Sequence, residues 1–519
     1  MKKKVLALML AAAMTFGLTA CGGRSGEAAG TDNASGTSSD ASQGDEAADA
    51  EDVRFDELQH LVVAFPTWTG APADTGMVTE AVNEILREKY NIEVEFQISD
   101  SGSYNQTVTL ALSSGQQIDI MSTALASYTN MVNQGYLMDL EEDGLLETYG
   151  QGIRDVIDQK YIDACRVGGV LYGITNTRDY AVGRGCIAVG TEYLDAIGYK
   201  APADAEEIIP ITEEEIEDIF AKLHAQFPDL EVYRPANNDL VQQTLVDQIG
   251  GNNFGVLLGS SDELKIINLF ENDEYMNFCK RVYNWNQNGY ISKDAAADTT
   301  NVCVLVKEGV LMAYGTGGKP GSKAQESGGC NRDMTIFQTR EDYVSSSAVA
   351  SMPWTIPIAT ANPQAAMVLL NEFYTNPELA DLIIYGIEGT HYEITEDGFL
   401  DASAGTSPDT YGTLNWLYPN QFASTVPKGN SADLWERTAA FNEEARQSPA
   451  SGFAFDSTGI ATELTAVTNV YEEYQKSLEY GFVDPETAIP EMLEKMNSAG
   501  LQKIIEEKQT QLDAWAASK

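Results

Sequence analysis

Four residues near the start of the folded chain have types suited to holding a ring rich in hydroxyl groups. Trp68 lies in the Pro- and Gly-containing loop Pro66 to Gly70, directly after the short apolar stretch Leu61 to Phe65. An indole placed there can lie flat against apolar C–H faces, or it can pack into a core. Asp119 can accept two hydroxyl protons, or it can tie down the loop ahead of it, and the residues leave both readings open. Ser122 and Thr123 follow with short hydroxyls that could serve a ligand or cap the loop. This is chemistry for recognition rather than for breaking bonds.

The signatures of catalysis are poor. The sequence has no G-x-S-x-G elbow, no H-E-x-x-H and no phosphate loop of the G-x-x-x-x-G-K type. Its three histidines, His60, His224 and His391, are far apart. The acidic turn Asp139 to Gly144 has the wrong spacing for a calcium loop. Cys165, Cys186, Cys279, Cys303 and Cys330 are widely separated and form no C-x-x-C pair, so neither a zinc site nor a disulfide framework is expected. They read as small buried hydrophobes, with room for one disulfide whose partners the sequence does not name. No metal and no cofactor is expected. A glycoside hydrolase needs only two carboxylates, and 78 acidic residues leave that reading open.

The elements that must position these residues follow from periodicity. Apolar residues at Val78, Ala81, Val82, Ile85 and Leu86 recur at helical spacing after the first strand. Ile92, Val94, Phe96 and Ile98 then alternate as in a strand. A second helical stretch, Asn105 to Ser114, leads to a short strand at Ile118 to Met121. The order β-α-β-α-β predicts a parallel sheet with right-handed crossovers, whose ligands sit beyond the carboxyl ends of the strands. The loops Pro66 to Gly70 and Ser122 to Ser127 occupy those ends. Further on, Thr212 and Glu215 form a capping-box pattern, Pro363 opens another helix, and Leu501, Ile504, Ile505, Leu512 and Trp515 stripe a terminal one. Trp285 and Trp515 lie on helical patterns and read as core.

The amino-terminal residues bear on location. Lys2 to Lys4 precede the mostly apolar stretch Val5 to Leu18, too short for a convincing membrane span and suited to a secretory signal. Leu18-Thr19-Ala20-Cys21, followed by Gly22, resembles the lipobox of bacterial lipoproteins. That resemblance implies cleavage before Cys21 and a diacylglycerol on its sulfur. Two or three acyl chains would anchor the protein stably, at ~0.8 kcal/mol per buried methylene. Gly22 to Asp52 contains no Val, Ile, Leu, Met or aromatic residue, and carries eight acidic residues against Arg24. Such a segment is expected to be a disordered, extended leash.

About 465 residues remain, and the chain is 43% hydrophobic, ample for two cores. A net charge of -46 argues against nucleic acid or anionic lipid as a partner, since both need basic patches.

The segment from Leu110 to Leu140 resembles its counterpart in family 1 extracellular solute-binding proteins. Gly168 to Ile174 resembles that family's strand into the first interdomain crossover, and Glu308 to Gly315 its G-x-x-A-M strand followed by an aromatic. Met352-Pro353-Trp354 through Tyr374, Gly386 to Tyr392, Gly481 to Glu486 and Gln511 to Trp515 are similar to a subgroup of Firmicutes lipoproteins with a C-terminal module of unassigned function. The resemblance implies an α/β, two-lobed periplasmic-binding-protein-like fold (type II) with an interdomain ligand cleft and multiple hinge crossovers. By analogy, residues 1–20 are the signal, 21–55 the lipidated cysteine and linker, 56–177 plus 356–412 lobe one, and 178–355 plus 413–519 lobe two.

On that frame Tyr314, Trp354 and Trp416 join Trp68 as aromatic candidates for the cleft. Arg178, in the expected hinge, either grips a carboxylate bidentately or pairs with its neighbour Asp179. The resemblance implies a non-catalytic, monomeric receptor on the outer face of the cytoplasmic membrane. It would take up a small-molecule solute, a carbohydrate by family habit, and deliver it to ABC permease subunits. A sensor or adhesion receptor on the same fold, and a peptide or uronate ligand, are the rival readings.

Overall fold

The structure, a computed structural model, describes residues 53–202, 207–236 and 238–519. The expected signal, the lipidation site Cys21 and the leash to Asp52 lie outside those residues. The first part of the chain runs β1 (Gln59–Thr67), α1 (Thr75–Tyr90), β2 (Ile92–Asp100), α2 (Tyr104–Ser113), β3 (Ile120–Ser122), α3 (Gln151–Val156) and α4 (Gln159–Asp163). Next come β4 (Val182–Gly190), β5 (Ile208–Pro210), α5 (Glu213–Gln226), β6 (Glu231–Arg234), α6 (Asp239–Gln243), α7 (Asp273–Gln287), α8 (Val302–Glu308), β7 (Leu311–Gly318), α9 (Ser322–Cys330), β8 (Met334–Gln338) and β9 (Asp342–Val344). The remainder is β10 (Trp354–Thr355), α10 (Pro363–Thr375), α11 (Pro377–Tyr385), β11 (Glu393–Ile394), β12 (Leu400–Asp401), α12 (Leu434–Glu444), β13 (Arg446–Gln447), α13 (Ala461–Glu479), α14 (Pro485–Ala499) and α15 (Leu501–Ala517). Several shorter turns of helix and strand separate these.

In lobe one, β2 and β3 flank β1 in parallel, with Val63 opposite Phe96 on one side and Ile120 on the other. This is the crossover sheet that periodicity predicts. The edge is closed by β10, antiparallel to β3 with Trp354 opposite Ser122. Leu61, Val63 and Phe65 pack on α1, α10 and α11, whose Val82, Leu86, Leu369, Phe373 and Ile383 are fully or almost fully buried. In lobe two the long strand β4 runs antiparallel to β7 on one side and to β8 and β9 on the other. Parallel partners β6, β5 and β13 extend that sheet. At Gly185 φ is +68°, and a Cβ there would lie 2.1 Å from Thr339 Oγ1, so only glycine lets β4 turn past the Gln338–Asp342 bend. The capping box at Thr212 and Glu215 is formed, and Pro363 sits in the first turn of α10.

Three passes of chain join the lobes. The first runs from Thr175 to Ala181, the second from Ser345 to Pro353, and the third lies between Ser424 and Asp433. Trp354 and Thr355 belong to the first sheet, because they pair with Ser122 and Met121. Leu414, Trp416, Leu417, Tyr418 and Ala423 also pack on the first core. The first two passes are fastened to elements of the second lobe. Asn442 Oδ1 accepts from the backbone N–H of Tyr180 (2.8 Å) and Ala181 (2.9 Å), while its Nδ2 donates to Arg178 O (2.8 Å). Asp247, on lobe two, accepts from Ser346 N at 3.0 Å and from its Oγ at 2.8 Å.

The helices α13, α14 and α15 complete the core of lobe two rather than forming one of their own. Val467, Leu478, Met492, Met496, Ile504 and Leu512 share a cluster with Phe220, Phe278 and Val282. Burial pushes the Glu479 carboxyl up to about 7, although Tyr471 OH and Gln475 Nε2 both donate to it. Cys303 and Cys330 form a disulfide that ties the start of α8 to the end of α9, and Cys165, Cys186 and Cys279 are buried free thiols.

Two measurements test this packing. A form beginning at residue 53, unfolded without reductant, should alkylate at three cysteines, and two more should react after reduction. Replacing Cys303 and Cys330 together should cost about 3 kcal/mol in urea unfolding. The protonated Glu479 contributes stability that is fully present below the ordinary value of 4.5 and is lost as pH rises through about 7. Glu479→Gln should therefore be more stable than wild type at pH 8. The advantage should shrink by up to about 1.4 kcal/mol per pH unit as pH falls through that window. An advantage independent of pH would show that Glu479 is ionised throughout.

Candidate ligand-binding cleft

The parallel strands of lobe one end at Thr67, Asp100 and Ser122, and the crossovers leave from the same end of the sheet. On lobe two the facing ends are the start of β4 and the finishes of β6, β7 and β9. The space between these two sets of strand ends is the cleft. Just past the end of β1 lies Trp68, which is 60% exposed although Val63 to Thr67 before it are buried. Ser101, just past β2, donates through Oγ to Trp68 O at 3.5 Å. The Trp68 ring lies 6.0 Å from that of Trp416, with their planes 45° apart. Trp416 is half-buried, and its carbonyl accepts from Asn176 Nδ2 (2.5 Å) in the first crossover. Two indoles thus form an angled aromatic wall between the tip of β1 and the hinge.

Leu125 stands beyond the end of β3 with φ +61° and 49% exposure. A branched apolar residue held left-handed and facing water is a local cost of about 1 kcal/mol or more, and such residues cluster at ligand sites. Nothing in the periodicity pointed to it.

The other candidates are occupied. Asp119 precedes β3, so it sits at the wrong end of the strand, and it is fully buried. Its two oxygens accept from Val62 N (2.7 Å), Gln117 Nε2 (2.8 Å), Thr360 Oγ1 (2.7 Å) and Ala361 N (2.8 Å). It ties a loop, the second of its two readings. Ser122 is buried, with Oγ accepting from Ala124 N (3.1 Å), and the Thr123 hydroxyl donates to Pro353 O (2.8 Å). Trp354 is 3% exposed, donates from Nε1 to Leu417 O (2.9 Å), and lies between Phe65 and Phe373. Tyr314 points to the face of the β7 sheet covered by α8 and α9, where its OH meets Glu326 and Cys330. Alternation along the strand put it there, away from the cleft. Arg178 donates to Asp179 O (2.6 Å), Ala348 O (3.0 Å) and Ser351 Oγ (3.2 Å), stapling the first crossover to the second. Its carboxylate-gripping role is replaced by a structural one.

On lobe two the segment after β6 is positioned from beneath. Tyr233 OH donates to the Asp239 carboxylate at 2.8 Å, and burial raises that carboxyl to about 7. A Cβ on Gly315 would lie 1.9 Å from Asp239 Oδ1, so the glycine in β7 makes the space this carboxyl occupies. Lys319, one residue past β7, donates to Asp179 Oδ2 at 2.6 Å and fixes the end of that strand to the first crossover. Among the described residues no group of three or more His, Cys, Asp or Glu could hold a metal ion. No helix among them is long and apolar enough to cross a membrane.

Two α/β lobes joined by several crossovers are the architecture of a binding protein. Residues 80–389 match the family described as bacterial extracellular solute-binding protein, and the chain belongs to that family. Residues 449–517 match a domain of unknown function (DUF3502), here the α13–α15 portion of the lobe-two core. A carbohydrate ABC transporter substrate-binding protein of Streptococcus pneumoniae is 24% identical over 445 residues, 84% of this chain and 87% of that protein. The solved structure of an N-glycan transport solute-binding protein (NgtS) of Streptococcus pneumoniae superposes with TM-score 0.77 at 22% identity, over 88% of this chain and 98% of that one. The same protein in complex with Man5GlcNAc gives 0.67, at 22% identity over 89% and 99%.

The placements divide the tryptophans into two groups with opposite behaviour. Trp68→Ala should change the stability of the free protein by no more than about 0.5 kcal/mol. Trp354→Ala should cost about 3–5 kcal/mol, since it empties a core site and strands the Leu417 carbonyl. Chemical unfolding of both variants checks this, and a large loss for Trp68→Ala would place that ring in the core.

Proposed function

We propose that the protein is a lipid-anchored receptor that captures a carbohydrate outside the cytoplasmic membrane and hands it to the permease of an ABC importer, without chemically altering it. The observation that carries this reading is the pair of indoles, Trp68 exposed and Trp416 half-buried 6.0 Å from it, beside the strand ends where the ligands of such two-lobed proteins sit. Aromatic faces meet the C–H faces of a sugar, and the remaining hydroxyls need only short fixed donors and acceptors. The relatives named for carbohydrate and N-glycan transport support the same class of solute. The lipobox-like Leu18 to Cys21 supports the anchor.

Capture by lobe closure has support in two places. The three NgtS structures share 22% identity with this chain, yet the TM-score falls from 0.77 to 0.68 and 0.67 where Man1GlcNAc or Man5GlcNAc is bound. The poorer superposition on the two sugar-bound forms supports a change of angle between the lobes on binding. Within the first crossover, Asn176 Oδ1, Thr177 Oγ1 and Arg178 Nε are buried without a hydrogen-bond partner among the described residues. The hinge therefore holds hydrogen-bonding capacity that this arrangement does not use.

Thermal unfolding against a panel of neutral oligosaccharides, uronates, peptides and amino acids tests the reading. A cognate sugar at 100-fold excess over its dissociation constant should add ~2.7 kcal/mol. Trp68→Ala should abolish most of that shift. A shift produced by peptides alone removes the carbohydrate assignment, and release of reducing ends from an oligosaccharide would mark a hydrolase.

A further inference from the structure

A second groove lies near the turn that carries Trp416. Thr413 N donates to Ile384 O at 2.9 Å, so that turn is joined to the end of α11, where Tyr385 lines the groove. That groove has a volume of 1090 Å³ and runs between α9 of lobe two and the β12 end of lobe one, with the third crossover as a wall. Pockets that enclose a single drug-sized ligand measure about 300–1000 Å³. The groove is therefore large enough for several linked rings.

Its lining differs in kind from the aromatic wall. Ser327, Asn331, Ser403, Asn430 and Ser431 present hydroxyls and amides, and Tyr385 is its only aromatic. Four of the chain's 32 basic residues also lie here, each already held by an acid. Lys428 pairs with Asp401 at 2.7 Å, Arg437 with Glu207 at 3.5 Å, Lys323 with Asp333 at 3.8 Å, and Arg332 with Glu192. Among the described lining residues every cation and every acid has an oppositely charged partner. What remains is a dense set of fixed donors and acceptors around a wide polar space, which suits a neutral molecule bearing many hydroxyls.

We infer that this groove is a second arm of the binding site, taking the distal or branching residues of an extended neutral oligosaccharide whose first ring stands at Trp68 and Trp416. The inference rests on the carbohydrate reading and adds a length requirement to it. A glycan lying in both arms touches α9, the third crossover and the β12 turn together, so it bridges the two lobes along their flank. A monosaccharide or disaccharide reaches only the aromatic wall.

Calorimetric titration with neutral oligosaccharides of graded length and branching tests it, alongside a matching series of uronate oligomers. The variants are Ser403→Trp and Ser431→Trp, which narrow the groove from exposed positions on different segments, with melting temperature as the check on folding. Wild type should bind the long members at least about tenfold more tightly than the short ones, and either variant should remove that advantage while leaving short sugars unchanged. Affinity independent of length, or variants that treat long and short sugars alike, would overturn the second arm while leaving the carbohydrate reading intact. Preferential binding of the uronate oligomers would overturn the neutral assignment. Failure of every sugar in wild type would overturn the carbohydrate reading itself, and this proposal with it.

Discussion

The side-chain amide of Asn442 holds the place where the lobes meet. Where a chain crosses between two sheets its backbone N–H groups lose their ladder partners, and a buried N–H without an acceptor costs about 1–3 kcal/mol. Asn442 Oδ1 takes the two N–H groups of Tyr180 and Ala181 at once, while its Nδ2 returns a bond to Arg178 O. Arg178 then reaches Ala348 and Ser351, and Asp247 grips Ser346. The Arg178 bonds tie the first pass to the second, while Asn442 and Asp247 tie those two passes to elements of the second lobe. The aromatic wall depends on this arrangement, because Asn176 of the first pass holds the carbonyl of Trp416.

Much of lobe one was legible in the sequence, and for a local reason. Periods of two and of about three and a half residues reveal which elements form, and the order β-α-β-α-β forces a parallel sheet. From that sheet alone the loop holding Trp68 can be placed at the ligand end. Of the two readings open for Asp119, the structure shows it tying a loop, because it lies at the amino end of its strand. A shift of three residues along β3, from Asp119 to Ser122, carries a side chain from one end of the sheet to the other. The expectations for Tyr314 and Trp354 failed for a non-local reason. Both lie in or beside strands that the sequence indicates, but whether a side chain faces a covering helix or the cleft is decided by partners far along the chain: Glu326 for one, Leu417 for the other. Leu125 and the groove beside α9 have no periodic signal, since turns and interlobe surfaces are assembled from segments up to hundreds of residues apart.

The C-terminal helices show the same non-local logic at larger scale. The resemblance implies a C-terminal module, and a family model sets residues 449–517 apart from the rest. Physically it is not separable. Val467, Leu478, Met492 and Met496 are fully buried against α7, and Lys508 is buried with its ammonium donating to Asn252 Oδ1 (2.8 Å) and Gly255 O (2.9 Å). Removing the helices would expose that apolar face.

Charge adds a last constraint on what the cleft receives. With 78 acidic residues against 32 basic, the molecule as a whole repels anions at long range. Screening confines that field to roughly 8–10 Å at physiological salt, so it acts on encounter and hardly at all once a ligand is seated. In the proposed site the forces are short-ranged: indole faces at one end, paired charges and hydroxyls at the other. A neutral ligand neither gains nor loses by the outer field and is selected entirely by those contacts. Such contacts can discriminate by shape and length, because each added ring either finds its donors and acceptors or leaves them unmet.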